Sequence, residues 1–400
     1  MIERKFTPNL VMNIQGQSVG FVDDLLSVAV YRRASDIHIE PMKDKSRIRI
    51  RVDGILHPLC ELSKADHDAV VSRIKVINGM DITEKRLPQD GHMEKKLEDK
   101  LVDLRISTMP TMHGEKMVIR ILDKTNSFLD LYRLSFSNKN LQDYRNLYAS
   151  PHGIVLVTGP TGSGKSTTLY ATLSELNRTE TNIITIEDPV EYQLPGVNQM
   201  TLNPKAGLHF ANGLRSIVRQ DPDIIMVGEI RDEETAHIAV QAALTGHLVL
   251  STLHTNNAVG AITRLLDMGI EPYLLASCLR GVVAQRLVRR VCPQCAEKYE
   301  AGAAELACLH LPVDEPHYLV EAAGCMDCFG TGYSGRLAIH EVLTVDSDMR
   351  TLISRRATEK EILSYARTKG FTSLYEDGVD KVLSGVTTLS ELLKAVGGND

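Results

Sequence analysis

The amino-acid sequence predicts an α/β protein in which a small α+β domain precedes a parallel sheet covered by helices. Beyond residue 153, short uninterrupted runs of aliphatic residues alternate with longer helical stretches, which is typical of parallel strands buried on both faces. Before residue 125, apolar and charged residues alternate strictly, as in strands with one exposed face. Two cysteine pairs follow residue 290, and a helical pattern extends from residue 349 to the C-terminus.

The composition predicts a soluble protein of two or three domains. The 400 residues include 45 Lys+Arg and 51 Asp+Glu, and 43% are hydrophobic, which excludes disordered and fibrous classes. The net charge of −6 argues against a nucleic-acid partner. No apolar run approaches the roughly 18 residues of a membrane-spanning helix, and Met1–Lys5 lack the apolar block of a signal peptide. We therefore expect a cytoplasmic protein whose seven cysteines form no disulfide framework.

The α+β domain is predicted to span residues 1–125. Apolar residues between Phe21 and Ala29 recur at helical spacing. Three alternating stretches then predict strands, and Asp53-Gly54 supplies the turn of a hairpin with one basic face. The alternating stretches are Arg47–Val52, Leu101–Thr108 and Met117–Leu122. The polar, irregular residues 126–137 are predicted to form a linker.

The parallel sheet is predicted to lie within residues 138–290. Its expected strands are Ile154–Thr158, Ile183–Ile186, Ile224–Val227 and Leu248–Thr252. Functional groups gather at the carboxyl ends of such strands. Here the ends are followed by a glycine-rich loop, Glu187, Glu229 and His254. Four strand ends are therefore expected to converge on one site.

A phosphate-binding loop follows the first of these strands. Gly159–Ser166 matches G-x-x-x-x-G-K-[ST] and precedes a predicted helix, Thr167–Leu176, which is the context that the pattern requires. Glycines let the backbone wrap around phosphates, and the helix N-terminus adds N–H groups. Lys165 would neutralise phosphate charge, and Ser166 would hold Mg²⁺. The residues predicted to bind nucleotide are Gly159, Pro160, Thr161, Gly162, Ser163, Gly164, Lys165, Ser166 and Thr167.

Two acidic residues at strand ends are candidates for magnesium binding and catalysis. Where an Asp is usual after the third strand, this chain has Glu229, which we expect to reach Mg²⁺ through water. Glu187 is placed to orient or deprotonate the attacking water. The sequence leaves open an exchange of these roles, and also a merely solvated acidic loop. His254 is interpreted as a γ-phosphate sensor, with a structural histidine as the alternative.

Four cysteines have the spacing of a zinc site. Cys292, Cys295, Cys325 and Cys328 form two C-x₂-C pairs separated by 29 residues, and four thiolates suit tetrahedral Zn²⁺. Because a closed Cys₄ shell leaves no open position, the predicted zinc is structural. A redox pair is the alternative, which is disfavoured because neither pair opens a thioredoxin-like βαβ pattern. We predict a zinc subdomain at 291–336 and a helical subdomain at 337–400.

Five segments along the chain resemble the hexameric ATPases of type II secretion and type IV pilus assembly. These segments are Ala34–Pro41, Gly159–Ser166, Ile186–Tyr192, Arg219–Asp232 and His247–Asn257. The resemblance implies a RecA-like P-loop NTPase domain preceded by a PAS-like N-terminal domain. It also implies Mg²⁺-dependent ATP hydrolysis by a cytoplasmic homo-hexamer peripheral to the inner membrane. There, rotation of a platform protein would drive assembly of a pilus or pseudopilus.

The same resemblance assigns two arginines of the N-terminal domain to the nucleotide. By motif these are Arg105 and Arg120, and a guanidinium can stabilise charge on phosphate oxygens; a solvated strand-face arginine is the alternative. The sequence departs from the family at His92, where an arginine is usual. The chain is also expected to lack the extra N-terminal domain that docks onto a membrane partner, which leaves the identity of that partner open.

Three rival functions are weighed against this interpretation. The cysteine region resembles that of secretion and pilus-extension members, whereas retraction members generally lack it, which disfavours a pilus retraction ATPase. A DNA translocase or helicase shares the RecA-like core but needs a basic, aromatic-bearing channel, and this chain has 5% aromatics and no Trp. A non-catalytic nucleotide-binding assembly protein would not hydrolyse ATP.

Overall fold

The computed structural model describes residues 11–12, 14, 17–97, 100–123 and 130–397. The chain forms two compact units, Met1–Ser127 and Phe128–Asp400. Residues 126–129 of the predicted linker lie outside the described residues, and the remainder contains a short 3₁₀ helix, Leu131–Leu134. Within the described ranges, no helix combines the length and the apolar character that crossing a bilayer requires.

A sheet and two helices form the first unit. Its strands are β1 (Val11–Met12), β2 (Ala34–Pro41), β3 (Lys45–Val52), β4 (Ile55–Ser63), β5 (Gln89–Leu97), β6 (Lys100–Thr111) and β7 (Gly114–Asp123). The helices α1 (Ser18–Tyr31) and α2 (Lys64–Ile77) pack against each other and against the sheet. The described strands are ordered β1-β4-β3-β2-β7-β6-β5, and all neighbours are antiparallel except β1 and β4.

Alternation gives this sheet an apolar face and a charged face. In β3, Ile48 and Ile50 are buried, whereas the three arginines of the strand lie on the opposite face, because successive side chains of a strand point to opposite sides. The turn into β4 has positive φ at both central residues, 48° at Asp53 and 86° at Gly54, as a two-residue hairpin requires. The predicted hairpin with one basic face is therefore present.

A larger sheet covered by helices forms the second unit. Its strands are β8 (Gly153–Thr158), β9 (Ile183–Glu187), β10 (Asn198–Thr201), β11 (Ile224–Val227), β12 (Leu248–Leu253), β13 (Leu279–Val291), β14 (Ala296–Glu300), β15 (Tyr318–Ala322) and β16 (Tyr333–Thr344). In the described part of the chain the main sheet has the order β10-β9-β11-β12-β8-β13-β16, and β14 and β15 form a separate antiparallel pair. Only β13 and β16 are antiparallel neighbours in the described main sheet.

Helices surround this sheet and continue to the C-terminus. They are α3 (Asn138–Tyr148), α4 (Lys165–Leu176), α5 (Phe210–Ile217), α6 (Glu233–Leu244), α7 (Ala258–Asp267), α8 (Pro272–Cys278), α9 (Ala303–Cys308), α10 (Ser347–Ser354), α11 (Glu359–Thr368), α12 (Leu374–Leu383) and α13 (Leu389–Val396). In β8, Ile154 and Leu156 belong to one apolar cluster with residues of α5, α6 and α7, whereas Val155 and Val157 belong to another with residues of α3 and α4. The strand is thus buried on both faces. The predicted α/β fold with a helical C-terminus is confirmed.

The long strands β13 and β16 extend the sheet beyond the predicted strands. β13 pairs in parallel with β8 and in antiparallel with β16. The first cysteine pair directly follows β13, and the second pair precedes β16. The predicted zinc subdomain is therefore inserted between two neighbouring strands of the main sheet, and its predicted boundary at residues 336 and 337 falls within β16.

Candidate nucleotide site and metal centre

The glycine-rich loop connects the buried strand β8 to helix α4. Three of its glycines have positive φ: 150° at Gly159, 79° at Gly162 and 89° at Gly164. Glycine occupies this backbone region without steric cost. Lys165 and Ser166 begin α4, and the N–H groups of a first helical turn have no partner within the helix. Loop and helix therefore form a cradle of N–H groups suited to phosphate.

Lys165 lies across this loop. Its Nζ donates to the carbonyl oxygens of Gly159 at 2.8 Å and Pro160 at 3.0 Å. Burial lowers the pKa of Lys165, the positive charge of Arg286 adds to that shift, and the negative charge of Glu229 opposes it. Both hydrogen-bond acceptors are neutral carbonyl groups, so neither of them offsets the charge that an ammonium would present to a phosphate.

Glu229 and His254 meet at the carboxyl ends of β11 and β12. The Nε2 atom of His254 lies 3.3 Å from Oε2 of Glu229, and Arg231 donates to Oε1. Burial acts to raise the pKa of Glu229, but the hydrogen bond and charge of Arg231, together with His254, hold it below its usual value. An ionised carboxylate that interacts electrostatically with Lys165 fits the donor chemistry that Mg²⁺ prefers.

Glu187, at the end of β9, is held by uncharged donors. The hydroxyl of Tyr170 donates to Oε2, and Oε1 accepts from Thr185 Oγ1 at 2.6 Å and from Gln199 Nε2 at 3.2 Å. Glu187 is only 5% exposed. Burial and the charge of Glu187 raise the pKa of Tyr170, so this hydroxyl remains a protonated donor. The three donors fix the carboxylate in one orientation.

Sequence reasoning missed three residues that contact the predicted site. Tyr170 and Gln199 bind Glu187, and Gln285 of β13 donates through Nε2 to the carbonyl of Ser163 at 2.7 Å. They belong to none of the motifs described above and reach the site through tertiary contacts. A detectable signal was the interruption of the aliphatic β13 sequence by Gln285 and Arg286.

The two arginines predicted to bind nucleotide are neighbours on the sheet of the first unit. Arg105 of β6 is the register partner of Arg120 of β7. Nε of Arg120 donates to Oδ1 of Asp36 at 3.1 Å, and Nε of Arg105 lies 3.9 Å from Oδ2 of Asp103. His92 of β5 is next in this row, with Nε2 2.5 Å from Oδ1 of Asp103. The arginines and His92 therefore form one basic row across three strands.

The four predicted zinc ligands converge. Their Sγ atoms all lie within 4.8 Å of one another. Cys292 and Cys325 are separated by 3.9 Å, Cys295 and Cys328 by 3.7 Å, and Cys325 and Cys328 by 3.8 Å. These Sγ–Sγ distances are longer than the S–S bond of a disulfide. They match the roughly 3.8 Å edge of a tetrahedron with Zn–S bonds of about 2.3 Å, so the donor set fits zinc.

Backbone amides surround one of these thiols. The N–H groups of Cys325 and Gly332 each lie 3.1 Å from Sγ of Cys328. Burial acts to raise the pKa of Cys328, but these N–H groups, together with hydrogen bonds from the thiols of Cys295 and Cys325, outweigh it and lower the pKa to about 6. Such N–H donors favour the thiolate form that binds metal.

Comparison with known sequences identifies relatives over nearly the whole chain. Residues 15–394 match a family described as Type II/IV secretion system protein. The type II secretion system ATPase E of Vibrio cholerae serotype O1 is 50% identical over 376 residues, which cover 94% of this chain and 75% of that protein. The type II secretion system protein E of Pseudomonas aeruginosa has the same identity and the same coverage.

Comparison with solved structures gives a consistent result. The ATPase DotB of Legionella pneumophila has a TM-score of 0.69 and 23% identity, and the match covers 95% of this chain and 96% of DotB. The pilus retraction motor PilT, solved with bound ADP, has a TM-score of 0.62 and 25% identity, with 94% and 97% coverage. At this identity the DotB likeness concerns the fold.

Proposed function

The chain belongs to the type II/IV secretion system protein family and is an ATPase, and from this premise we propose that it powers assembly of a type IV pilus or type II secretion pseudopilus. The observation that carries the proposal is the phosphate cradle formed by the glycine loop and Lys165, with the ionised Glu229 in electrostatic contact. Two relatives named for type II secretion support it. The four-cysteine cluster favours secretion or pilus extension over retraction.

Each side chain of the cradle has a role in the proposed Mg²⁺-dependent hydrolysis of ATP. Lys165 exchanges its carbonyl partners for β- and γ-phosphate oxygens. Ser166 and, through water, Glu229 would hold Mg²⁺, which when bound neutralises phosphate charge. Glu187, fixed by its three donors, orients the attacking water. His254 senses the γ-phosphate and passes its presence to Glu229, which it already contacts.

The first unit contributes positive charge in this proposal. Arg105 and Arg120 stabilise charge on the phosphate oxygens during hydrolysis. Their position side by side on one sheet face supports a shared role. Hydrolysis then moves the N-terminal domain, residues 1–125, against the RecA-like domain, residues 138–290. In a homo-hexamer at the cytoplasmic face of the inner membrane, this movement turns a platform protein to which the ring is peripherally bound.

Complementation tests the function. In a bacterium from which the gene has been deleted, the wild-type chain should restore secretion or pilus assembly, and Glu187→Gln at equal protein level should not. Assembly undiminished by Glu187→Gln would instead support a non-catalytic role. Intact assembly with lost retraction would identify a retraction motor, and DNA-stimulated turnover would identify a translocase.

Movement between the domains is testable with fluorophores. Cysteines replacing Met112 and Tyr273, which are 89% and 62% exposed and lie in the N-terminal and RecA-like domains, accept labels in a chain whose exposed Cys308 has been changed to Ser. The label distance should differ between the complexes with ADP and with a non-hydrolysable ATP analogue. Equal distances in all nucleotide states during normal turnover would contradict the proposed movement.

Light scattering tests the proposed homo-hexamer. The measured mass should be six times the 44.3 kDa of one chain.

A structural zinc ion is proposed for the cysteine cluster. Elemental analysis should find about one zinc per chain, and Cys325→Ser should lose it and lower the unfolding temperature. Cys308→Ser is the matched control, because this cysteine is exposed and lies outside the cluster. Freshly purified, chelator-free protein without metal would refute the assignment.

A further inference from the structure

Strand β13 continues beneath the phosphate loop. Its residue Ala284 pairs with Thr158, the last residue of β8. The next residue, Gln285, therefore lies where the polypeptide leaves β8 and enters the loop. Gln285 is only 2% exposed, and a buried amide requires hydrogen-bond partners.

Both partners of the Gln285 amide belong to the phosphate-binding element. Nε2 donates to the carbonyl of Ser163 at 2.7 Å. Oε1 accepts from the hydroxyl of Thr168 at 2.7 Å. Ser163 lies in the loop, and Thr168 lies in the first turn of α4. One side chain thus ties the loop to the helix that follows it.

The contact is close enough to restrict the loop sequence. A Cβ atom at Gly159 would lie 2.4 Å from the carbonyl oxygen of Gln285, and one at Gly164 would lie 2.8 Å from its Nε2. Real Cβ atoms do not approach other atoms so closely. Glycine at both positions therefore serves the approach of β13 as well as the approach of a phosphate.

We propose that Gln285 is a positioning residue that holds the phosphate loop in its nucleotide-binding shape before a nucleoside di- or triphosphate arrives. A glycine-rich loop is otherwise free to adopt many conformations, and ordering it during binding reduces affinity. Gln285 acts through Ser163 and Thr168 and does not itself touch the reacting atoms. The inference rests on the proposed nucleotide site and adds a residue outside the loop motif to it.

The isosteric variant Gln285→Met tests this role. It removes both hydrogen bonds and keeps the length of the side chain. Binding of a fluorescent ADP analogue should weaken about tenfold, as expected for two buried hydrogen bonds, and KM for ATP should rise by a similar factor while kcat changes much less. In the nucleotide-free protein, the amides of residues 159–164 should exchange hydrogen faster than in wild type.

Asn140→Leu is the matched control. Asn140 is also buried, and its amide donates to the carbonyl of His340 at 3.1 Å, in α3 of the same unit. The thermal stability of Asn140→Leu should fall about as much as that of Gln285→Met. Its affinity for the ADP analogue should equal that of wild type. Gln285→Glu, which cannot donate to Ser163 and adds negative charge, should bind the analogue more weakly than Gln285→Met.

The outcomes separate this inference from the proposed function. A folded Gln285→Met protein with wild-type ADP affinity and loop exchange would overturn the positioning role and leave the ATPase assignment intact. A wild-type chain that neither binds the analogue nor hydrolyses ATP would instead refute the nucleotide site. If Gln285→Met does not fold, Thr168→Val removes one half of the interaction and should weaken ADP binding about threefold; unchanged affinity there would also overturn the role.

Discussion

Two glutamates lie near the carboxyl ends of neighbouring strands of the same sheet, yet their surroundings differ. Glu187 at the end of β9 is buried and receives three hydrogen bonds from uncharged groups. Glu229, beyond the end of β11, is held by the charged Arg231 and by His254. Neutral donors fix one carboxylate in place. Charged partners keep the other ionised, and an ionised carboxylate is a ligand type that Mg²⁺ prefers. Carboxylates near the same edge of a sheet therefore differ in chemistry when their partners differ.

The largest effect is expected at Lys165, the lysine of the phosphate loop. Lys165→Ala removes the cation of the phosphate loop, and phosphate release at saturating Mg-ATP should fall by at least about 100-fold. Lys139→Ala is the control, because this exposed lysine pairs with Asp143 on α3 and should leave turnover unchanged. Normal turnover in Lys165→Ala would show that the loop is not part of the active site. The roles proposed for the two glutamates at that site would then no longer follow.

Neutralising each glutamate separately should distinguish their roles. Glu187→Gln should lower kcat by about 100-fold without changing the Mg²⁺ concentration that gives half-maximal activity. Glu229→Gln should raise that concentration, because a metal-holding charge is lost. Magnesium titrations of ATP turnover measure both quantities. The reverse pattern would show that Glu229 orients the attacking water and Glu187 holds Mg²⁺.

An effect of intermediate size is expected from substitution of the two arginines of the first unit. Replacing Arg105 or Arg120 by Gln should reduce hydrolysis about tenfold or more and change nucleotide affinity much less. Arg47→Gln is the control, since this arginine lies in β3 of the same unit and is bound to Glu40. Unchanged hydrolysis in both Arg105 and Arg120 variants would exclude them from the nucleotide site.

The smallest effect is expected from Tyr170→Phe, which removes one of the three donors to Glu187. Turnover should fall a few-fold, as for loss of one hydrogen bond, and binding of the ADP analogue should remain unchanged. Tyr148→Phe is the control, since Tyr148 also donates to a glutamate, Glu175, at 2.5 Å. A Tyr170→Phe enzyme with wild-type kcat would show that the remaining donors suffice to orient Glu187.

Local sequence patterns predicted those parts of the fold whose characteristic residues lie in one continuous stretch of the chain. The strands β8, β9, β11 and β12 were predictable because burial on both faces requires unbroken apolar runs. The phosphate loop and the cysteine pairs were predictable from spacing, and the predicted family is confirmed. Within the first unit, the alternation of apolar and charged residues predicted strands at the positions of β3, β6 and β7.

Elements with mixed sequences escaped prediction. β5 shows alternate exposed and partly buried residues and ends one edge of its described sheet, so few apolar residues identify it. β13 carries the buried polar pair Gln285 and Arg286, whose burial is explained only by hydrogen bonds to residues distant in the chain. Two of the three donors to Glu187 likewise come from other elements, α4 and β10. The fold brings these neighbouring residues to the site from distant parts of the chain, so no linear sequence motif includes them.

The position of Gln285 has a consequence for the time at which the protein becomes functional during synthesis. Its amide contacts the carbonyl of Ser163 although 122 residues separate the two in sequence, and the neighbouring strand β16 is made later still. A nascent chain leaves the ribosome N-terminus first, so the phosphate loop emerges long before its support. Under the proposed role of Gln285, competence to capture nucleotide requires translation beyond residue 285, and products truncated before that residue should be poor nucleotide binders even when the loop sequence is intact.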